Sequence, residues 1–164
     1  MITAQNLVYS KAAAARILNL DYILIKDIEI WNKVVLVKVQ DQKSKFISKK
    51  DFRQHFVDWR KARSIGLETT PHLYNQELFT VHNLHKDTQY QVSVHPQELI
   101  CNCDDWANQK KHLGKACCKH CYSVLSYLKY SSLKEYIEQS KELVDVGGNK
   151  TTIMQSKPCP YKST

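Results

Sequence analysis

Cys101-Asn-Cys103 is followed, after fourteen intervening residues, by Cys118-Lys-His120. Three thiols and one imidazole in two pairs are the donor set of a tetrahedral metal site, and Cys₃His is one of the closed structural shells of Zn²⁺. The spacing constrains the fold around it. In a strand, residues i and i+2 share a face. Cys101 and Cys103, at the end of a strand expected at Glu98-Leu-Ile-Cys101, can therefore face one ion. Two tetrahedral thiolates lie roughly 3.8 Å apart. That is closer than the Cβ atoms of such a pair, so the chain must bend after Cys101. In a helix, i and i+2 point about 200° apart. Cys118 must then lie just before a helix, with His120 in its first turn, where the dipole favours a thiolate. The expected ligands of a single structural Zn²⁺ are Cys101, Cys103, Cys118 and His120. On spacing alone Cys117 or Cys121 can substitute for a sulfur, and His112 for the imidazole.

Five of the six cysteines fall between Cys101 and Cys121. A disulfide scaffold would spread them, and in a reducing compartment a cluster of this kind is more often metal-binding. The same thiols could be reduced, buried and inert. Cys118-Lys-His-Cys121 is also a Cys-x-x-Cys, but a redox dithiol of that form follows a strand of a βαβ unit. Here it follows Leu113-Gly-Lys-Ala, with no parallel-sheet pattern upstream. Cys159, between Pro158 and Pro160, reads as a free thiol. The start, Met1-Ile-Thr-Ala-Gln-Asn, lacks the basic and apolar regions of a signal peptide, and no run reaches the eighteen or so apolar residues of a membrane helix. The expected location is intracellular, away from membranes.

The formal net charge of +8 is unevenly placed. Residues 1–66 hold 13 Lys/Arg and 6 Asp/Glu, whereas residues 67–164 hold 11 and 10. A basic unit favours an anionic partner, most often nucleic acid. The density peaks between 43 and 63, with eight basic residues and two acidic ones. Lys43, Lys45, Lys49, Lys50, Arg53, Arg60, Lys61 and Arg63 are the expected nucleic-acid contacts. Lys110, Lys111, Lys115 and Lys119 could add to them.

The elements follow from local pattern. Ser10 caps a helix over Lys11-Ala-Ala-Ala-Ala-Arg-Ile-Leu that ends at Asn19. Tyr22–Trp31 and Val34–Val39 read as a hairpin around Asn32-Lys33, with a bulge or short helix open in the first run. Ser48-Lys-Lys-Asp51 opens a helix whose Phe52, Phe56 and Trp59 share a face, read as core. Residues 64–71 read as a linker. Beyond them Leu78–Val81, Tyr90–Val94 and Glu98–Cys101 form a small antiparallel sheet. Asp104 or Asp105 caps a helix ending at Gly114, a second helix begins near Lys119, and Ser132-Leu-Lys-Glu135 is a capping box for a third. The fold class is α+β. A basic helix–hairpin–helix unit at 1–66 precedes a zinc-clamped unit at 72–145, and 146–164 reads as a mobile tail.

The neighbourhood of the cysteines resembles the SWIM-type zinc finger. Cys-x-Cys, a spacer, then Cys-x-His entering a helix is that family's order of ligands. Tyr90-Gln-Val-Ser-Val resembles its preceding strand, Trp106 an aromatic commonly found after the first pair, Gly114-Lys-Ala-Cys-Cys-Lys-His its second run, and Val124-Leu125 its helix. The likeness covers about residues 78–130. It implies structural zinc and a role in DNA binding or protein interaction, in settings such as transposition, recombination, chromatin remodelling and ubiquitin signalling. It implies no catalysis. Residues 8–63 more loosely resemble an excisionase-type winged helix, through Tyr9-Ser-Lys-Ala-Ala-Ala-Ala-Arg-Ile-Leu and Lys45-Phe-Ile-Ser-Lys-Lys-Asp-Phe. That fold needs a second helix where Tyr22–Ile30 reads as strand.

The expected function is a zinc-binding, non-enzymatic nucleic-acid-binding protein, with DNA ahead of RNA, acting in recombination, transposition or transcription. The other reading is a protein-interaction adaptor on the same zinc scaffold, using a sheet edge or the Ser132 helix, which suits the near-neutral charge after residue 66. An enzyme is disfavoured. The chain has no Ser-His-Asp order, no Gly-rich phosphate loop and no carboxylate cluster at helical spacing, and four protein ligands would leave no open position on zinc. No small-molecule substrate is expected.

Overall fold

The computed structural model describes residues 2–145. The chain is a mixed α+β protein built on two antiparallel meanders, one of three strands and one of four. Helix α1 is Ala4–Val8 and α2 is Lys11–Leu18. A single 3-10 turn at Tyr22–Leu24 leads into β1 (Ile25–Ile30), β2 (Val34–Val39), β3 (Lys45–Ser48) and α3 (Lys49–Ser64). The second half comprises β4 (Glu68–Pro71), β5 (Leu78–Asn83), β6 (Thr88–His95), β7 (Glu98–Cys101), α4 (Asp104–Leu113), α5 (Lys119–Tyr127) and α6 (Leu133–Asp145).

In the first half the expected helix and hairpin are present. Ser10 accepts from the Ala13 N–H, and Asn19 ends α2 at φ 52. The irregularity expected in the first run takes both forms, the 3-10 turn and a register shift between Ile25 and Asp27. Tyr22–Ile30 is therefore turn and strand, in place of the second helix of a winged helix. Ala13, Ala14 and Ala15 are buried, so α2 sits close on the sheet, and Phe52 from α3 joins Val35, Val37 and Ile47 in the same core. The capped α1, with Thr3 and Asn6 bonding reciprocally, has no apolar period and gave no signal in the sequence.

The segment read as a linker is shorter than expected. Glu68–Pro71 pairs with β5 as the outer strand of the second sheet. Its signal was masked by Pro71, which an edge position tolerates. In β5, the second half of β6 and β7, buried residues alternate with less buried ones. Phe79, Val81, Val92, Val94, Leu99 and Cys101 face α5, whose Val124 and Leu125 complete the core with Tyr136 of α6. α3 packs along α5, and α1 touches both α3 and α4, so the two sheets share a helical layer. The tail expected at 146–164 lies outside the described residues. Among the described residues no helix is long and apolar enough to cross a membrane.

Candidate metal centre

The two cysteine pairs reach their positions by different local means. Cys101 is the last residue of β7, opposite Val92, and strand alternation turns it into the core. The chain then bends as the spacing requires. Asn102 holds the bend to β6. Its N–H donates to the Gln91 carbonyl at 3.2 Å, and its Oδ1 accepts from the Gln91 N–H at 3.0 Å. The amide side chain thus substitutes for a further strand residue. Cys103 follows as the N-cap of α4 and accepts from the Trp106 N–H through sulfur at 3.4 Å. The cap falls on Cys103 rather than on Asp104 or Asp105, which lie in the first helical turn. A thiolate there gains from the N-terminal dipole as the carboxylates do. Gly114 ends α4 at φ 71, as expected from a left-handed C-terminal residue.

On the other side Cys118 is the N-cap of α5, with His120 in its first turn. Cys101, Cys103, Cys118 and His120 converge, with all four ligand atoms within 4.8 Å of one another and all four residues buried. His120 Nδ1 lies 3.6 Å from Cys101 Sγ and 3.7 Å from Cys118 Sγ. The sulfur–nitrogen edge of a tetrahedron with ordinary Zn–S and Zn–N bonds is roughly 3.6 Å. The donor set and these edges fit zinc. The His120 ring stacks on Tyr90 at 4.1 Å, and its Nε2 has no hydrogen-bond partner among the described residues.

The protonation balance matches a ligand set. At Cys101 the Cys103 thiol pushes the pKa up, the sulfurs of Cys118 and Cys121 pull it down, and the result is about 6. At Cys118 the Cys101 thiol pushes up, Cys103 and Cys121 pull down, and the result is again about 6. Burial pushes the His120 imidazole down, but the sulfurs of Cys101, Cys103 and Cys118 draw it up to about 11. Cys101 and Cys118 are thus shifted toward the thiolate form that a metal ligand requires. Cys121 is different. Hydrogen bonding with Cys101 and Cys117, together with burial, raises its thiol well above the usual range. Its Sγ lies 3.6 Å from Cys118 Sγ and 3.9 Å from the Leu99 carbonyl, beside the four ligand atoms rather than among them. Cys117 and His112 are also outside the group.

A chain of contacts the sequence did not reveal holds the site. Arg60 donates to both Asp105 oxygens, at 2.6 and 3.0 Å, and Gln109 Nε2 donates to Asp105 at 3.0 Å. Buried Gln109 in turn accepts the Cys117 N–H at 3.1 Å, fixing the loop that delivers Cys118. Trp106 Nε1 donates to the Leu99 carbonyl at 2.8 Å, tying α4 to β7. Arg60, Asp105, Cys117 and Trp106 each stood out in the sequence for another reason, whereas Gln109 did not.

The eight basic candidates do not form one uniform surface. Lys43, Lys50, Arg53 and Arg63 are exposed, whereas Lys45, Lys49, Arg60 and Lys61 are half-buried. Lys49 lies over the Tyr9 ring at 5.5 Å and Lys61 over Tyr122 at 5.8 Å. Arg60 is drawn inward to Asp105 and lies over Phe56 at 3.6 Å. The aromatic stripe of α3 is likewise divided. Phe52 is buried, but Trp59 is 37% exposed, covered by Arg16 at 4.2 Å and Arg63 at 5.3 Å. Phe52 packs in the core of the three-stranded sheet, to which neither Phe56 nor Trp59 belongs. Arg16, from α2, is a member of this cluster that the charge count by segment did not single out.

Comparison of the chain with protein-family models, with curated proteins and with solved structures finds no match. The geometry therefore stands by itself, as a buried Cys101/Cys103/Cys118/His120 group able to hold one metal ion, with the donor chemistry of zinc.

Proposed function

We propose that this chain is a zinc-binding, non-enzymatic nucleic-acid-binding protein, with DNA its partner ahead of RNA. The observation that carries the zinc half is the convergence of four buried donors with tetrahedral edges. Four protein ligands close the shell, which is the structural rather than the catalytic arrangement. The order of ligands and the helix that follows support the resemblance to a SWIM-type finger, and with it a setting in recombination, transposition or transcription.

The nucleic-acid half is supported by charge. The basic excess belongs to residues 1–66, and α3 carries exposed Lys50, Arg53 and Arg63 along one rigid element. Cations of this kind contact phosphates and give affinity without sequence choice. Titration of zinc-loaded protein with a labelled duplex tests it. Raising salt from about 50 to about 200 mM should weaken binding roughly a hundredfold for about four phosphate contacts. Replacing Lys49, Lys50 and Arg53 by Glu should abolish most of what remains. Binding that ignores both salt and the triple change would refute the assignment and favour a protein-interaction adaptor.

A further inference from the structure

A groove of about 320 Å³ opens between α3 and the starts of α4 and α5, directly outside the metal centre. Its lining includes Trp59, Arg60, Arg63, Tyr90, Asp104 and Lys119. His120, with its unpartnered Nε2, forms part of the lining. Arg16 reaches from α2 over the indole of Trp59 at 4.2 Å, and Arg63 approaches the same ring at 5.3 Å. Two guanidiniums thus lie against one indole ring.

The charges here are unbalanced. Arg60 is matched by Asp105. Arg16 and Arg63 have no carboxylate partner among the described residues, and Arg16 bonds instead to His55 Nε2 at 3.0 Å. Burial first, then repulsion from Arg60 and Arg63, lowers the Arg16 pKa below its ordinary value. With Arg60 and Asp105 paired, Arg63 and Lys119 outnumber the remaining carboxylate of the lining, Asp104, which favours an incoming anion. The groove also has shape and aromatic surface. Its volume lies at the lower end of the range for ligand clefts, large enough for one nucleotide.

We propose that this groove receives one unpaired nucleotide of a single-stranded nucleic acid, its phosphate held by Arg63 and Lys119 and its base set against Trp59 and Tyr90. The inference rests on the nucleic-acid reading above and adds strandedness and site to it. Single-strand binders combine a positive groove with aromatic side chains on which bases stack. Asp104, exposed at the mouth, opposes the phosphate.

The test is fluorescence anisotropy of the zinc-loaded full chain with a labelled oligothymidylate and, separately, a blunt duplex of equal length. Trp59→Ala and Arg63→Glu should each weaken single-strand binding about tenfold and duplex binding at most about twofold, with zinc content unchanged. Asp104→Asn should tighten single-strand binding about twofold to threefold by removing one repulsive charge, a gain that unfolding cannot produce. If the wild type binds both probes and none of the three changes separates them, the groove assignment is overturned and the nucleic-acid reading stands. If the wild type binds neither probe, both are overturned.

Discussion

Arg60, in the last turns of α3, donates two hydrogen bonds to the Asp105 carboxylate in the first turn of α4, forty-five residues later. The pair joins the basic helix to the element that Cys103 caps, and Asp105 passes the connection on to Gln109 and the Cys117 loop. Arg60→Ala should destabilise the protein by about 1–2 kcal/mol, the scale of hydrogen bonds to a charged group. Because Asp105 is partly exposed, the coupling between Arg60→Ala and Asp105→Ala should be nearer 1 kcal/mol. Urea unfolding of the four proteins of the cycle measures it, and a coupling near zero would remove the strap from this account.

Metal content is the most direct check on the centre. Native mass spectrometry should find one zinc in the wild type and none in Cys103→Ala or His120→Ala. Chelation should unfold the half that contains β4–β7 and α4–α6, because structural zinc contributes about 10–16 kcal/mol to small domains of this kind. Circular dichroism unchanged after chelation would count against a structural ion.

Asn102 occupies the position between the first two ligands and bonds Gln91 through both its backbone and its side chain. Asn102→Ala frees the Gln91 N–H and loosens the bend. The expected result is a loss of about tenfold in zinc affinity, in the range of supporting residues around metal sites. Competition with a chromophoric chelator reads this directly.

Gly114 closes α4 at φ 71 with no atom within 4 Å of the position a Cβ would take. Substitution there is penalised by backbone conformation alone. Gly114→Ala should cost about 1 kcal/mol, Gly114→Asn less, and Gly114→Val more. Thermal unfolding ranks the three, and equal values for Asn and Val would contradict a purely conformational penalty.

Glu135 in the first turn of α6 accepts from Ser131 Oγ and the Ser131 N–H, at 2.5 and 2.7 Å. These bonds hold its carboxyl below the ordinary 4.5. A depressed carboxylate stabilises the fold fully above its unfolded pKa and loses that contribution as pH falls through the folded one. The Tm advantage of wild type over Glu135→Gln should therefore be constant near neutrality and vanish in acid. A difference that persists at low pH would mean that the charge is not responsible.

Several of these features were legible before any coordinates. The cap at Ser10, the two-residue break at Asn32-Lys33 and the left-handed end at Gly114 are short-range, and neighbouring residues determine them. The capping box at Ser132 was half legible. Ser132 Oγ accepts the Glu135 N–H, but the Glu135 carboxylate turns to Ser131. Strand β4 was hidden because four polar or exposed residues carry no alternation of their own and pair only when β5 is present.

The order of cysteines and histidine, and the need for a bend after one pair and a helix start at the other, follow from the chain by itself, because ligand geometry is local chemistry. Which sulfurs converge with His120, and that Cys121 lies beside them, was decided by the packing of α5 on the four-stranded sheet. The fate of the basic residues was also a tertiary matter. Sequence counts charges, but only the meeting of α2, α3 and α4 sets Arg60 against a carboxylate and leaves Arg16 beside Trp59, since Coulomb partners are chosen by distance in space.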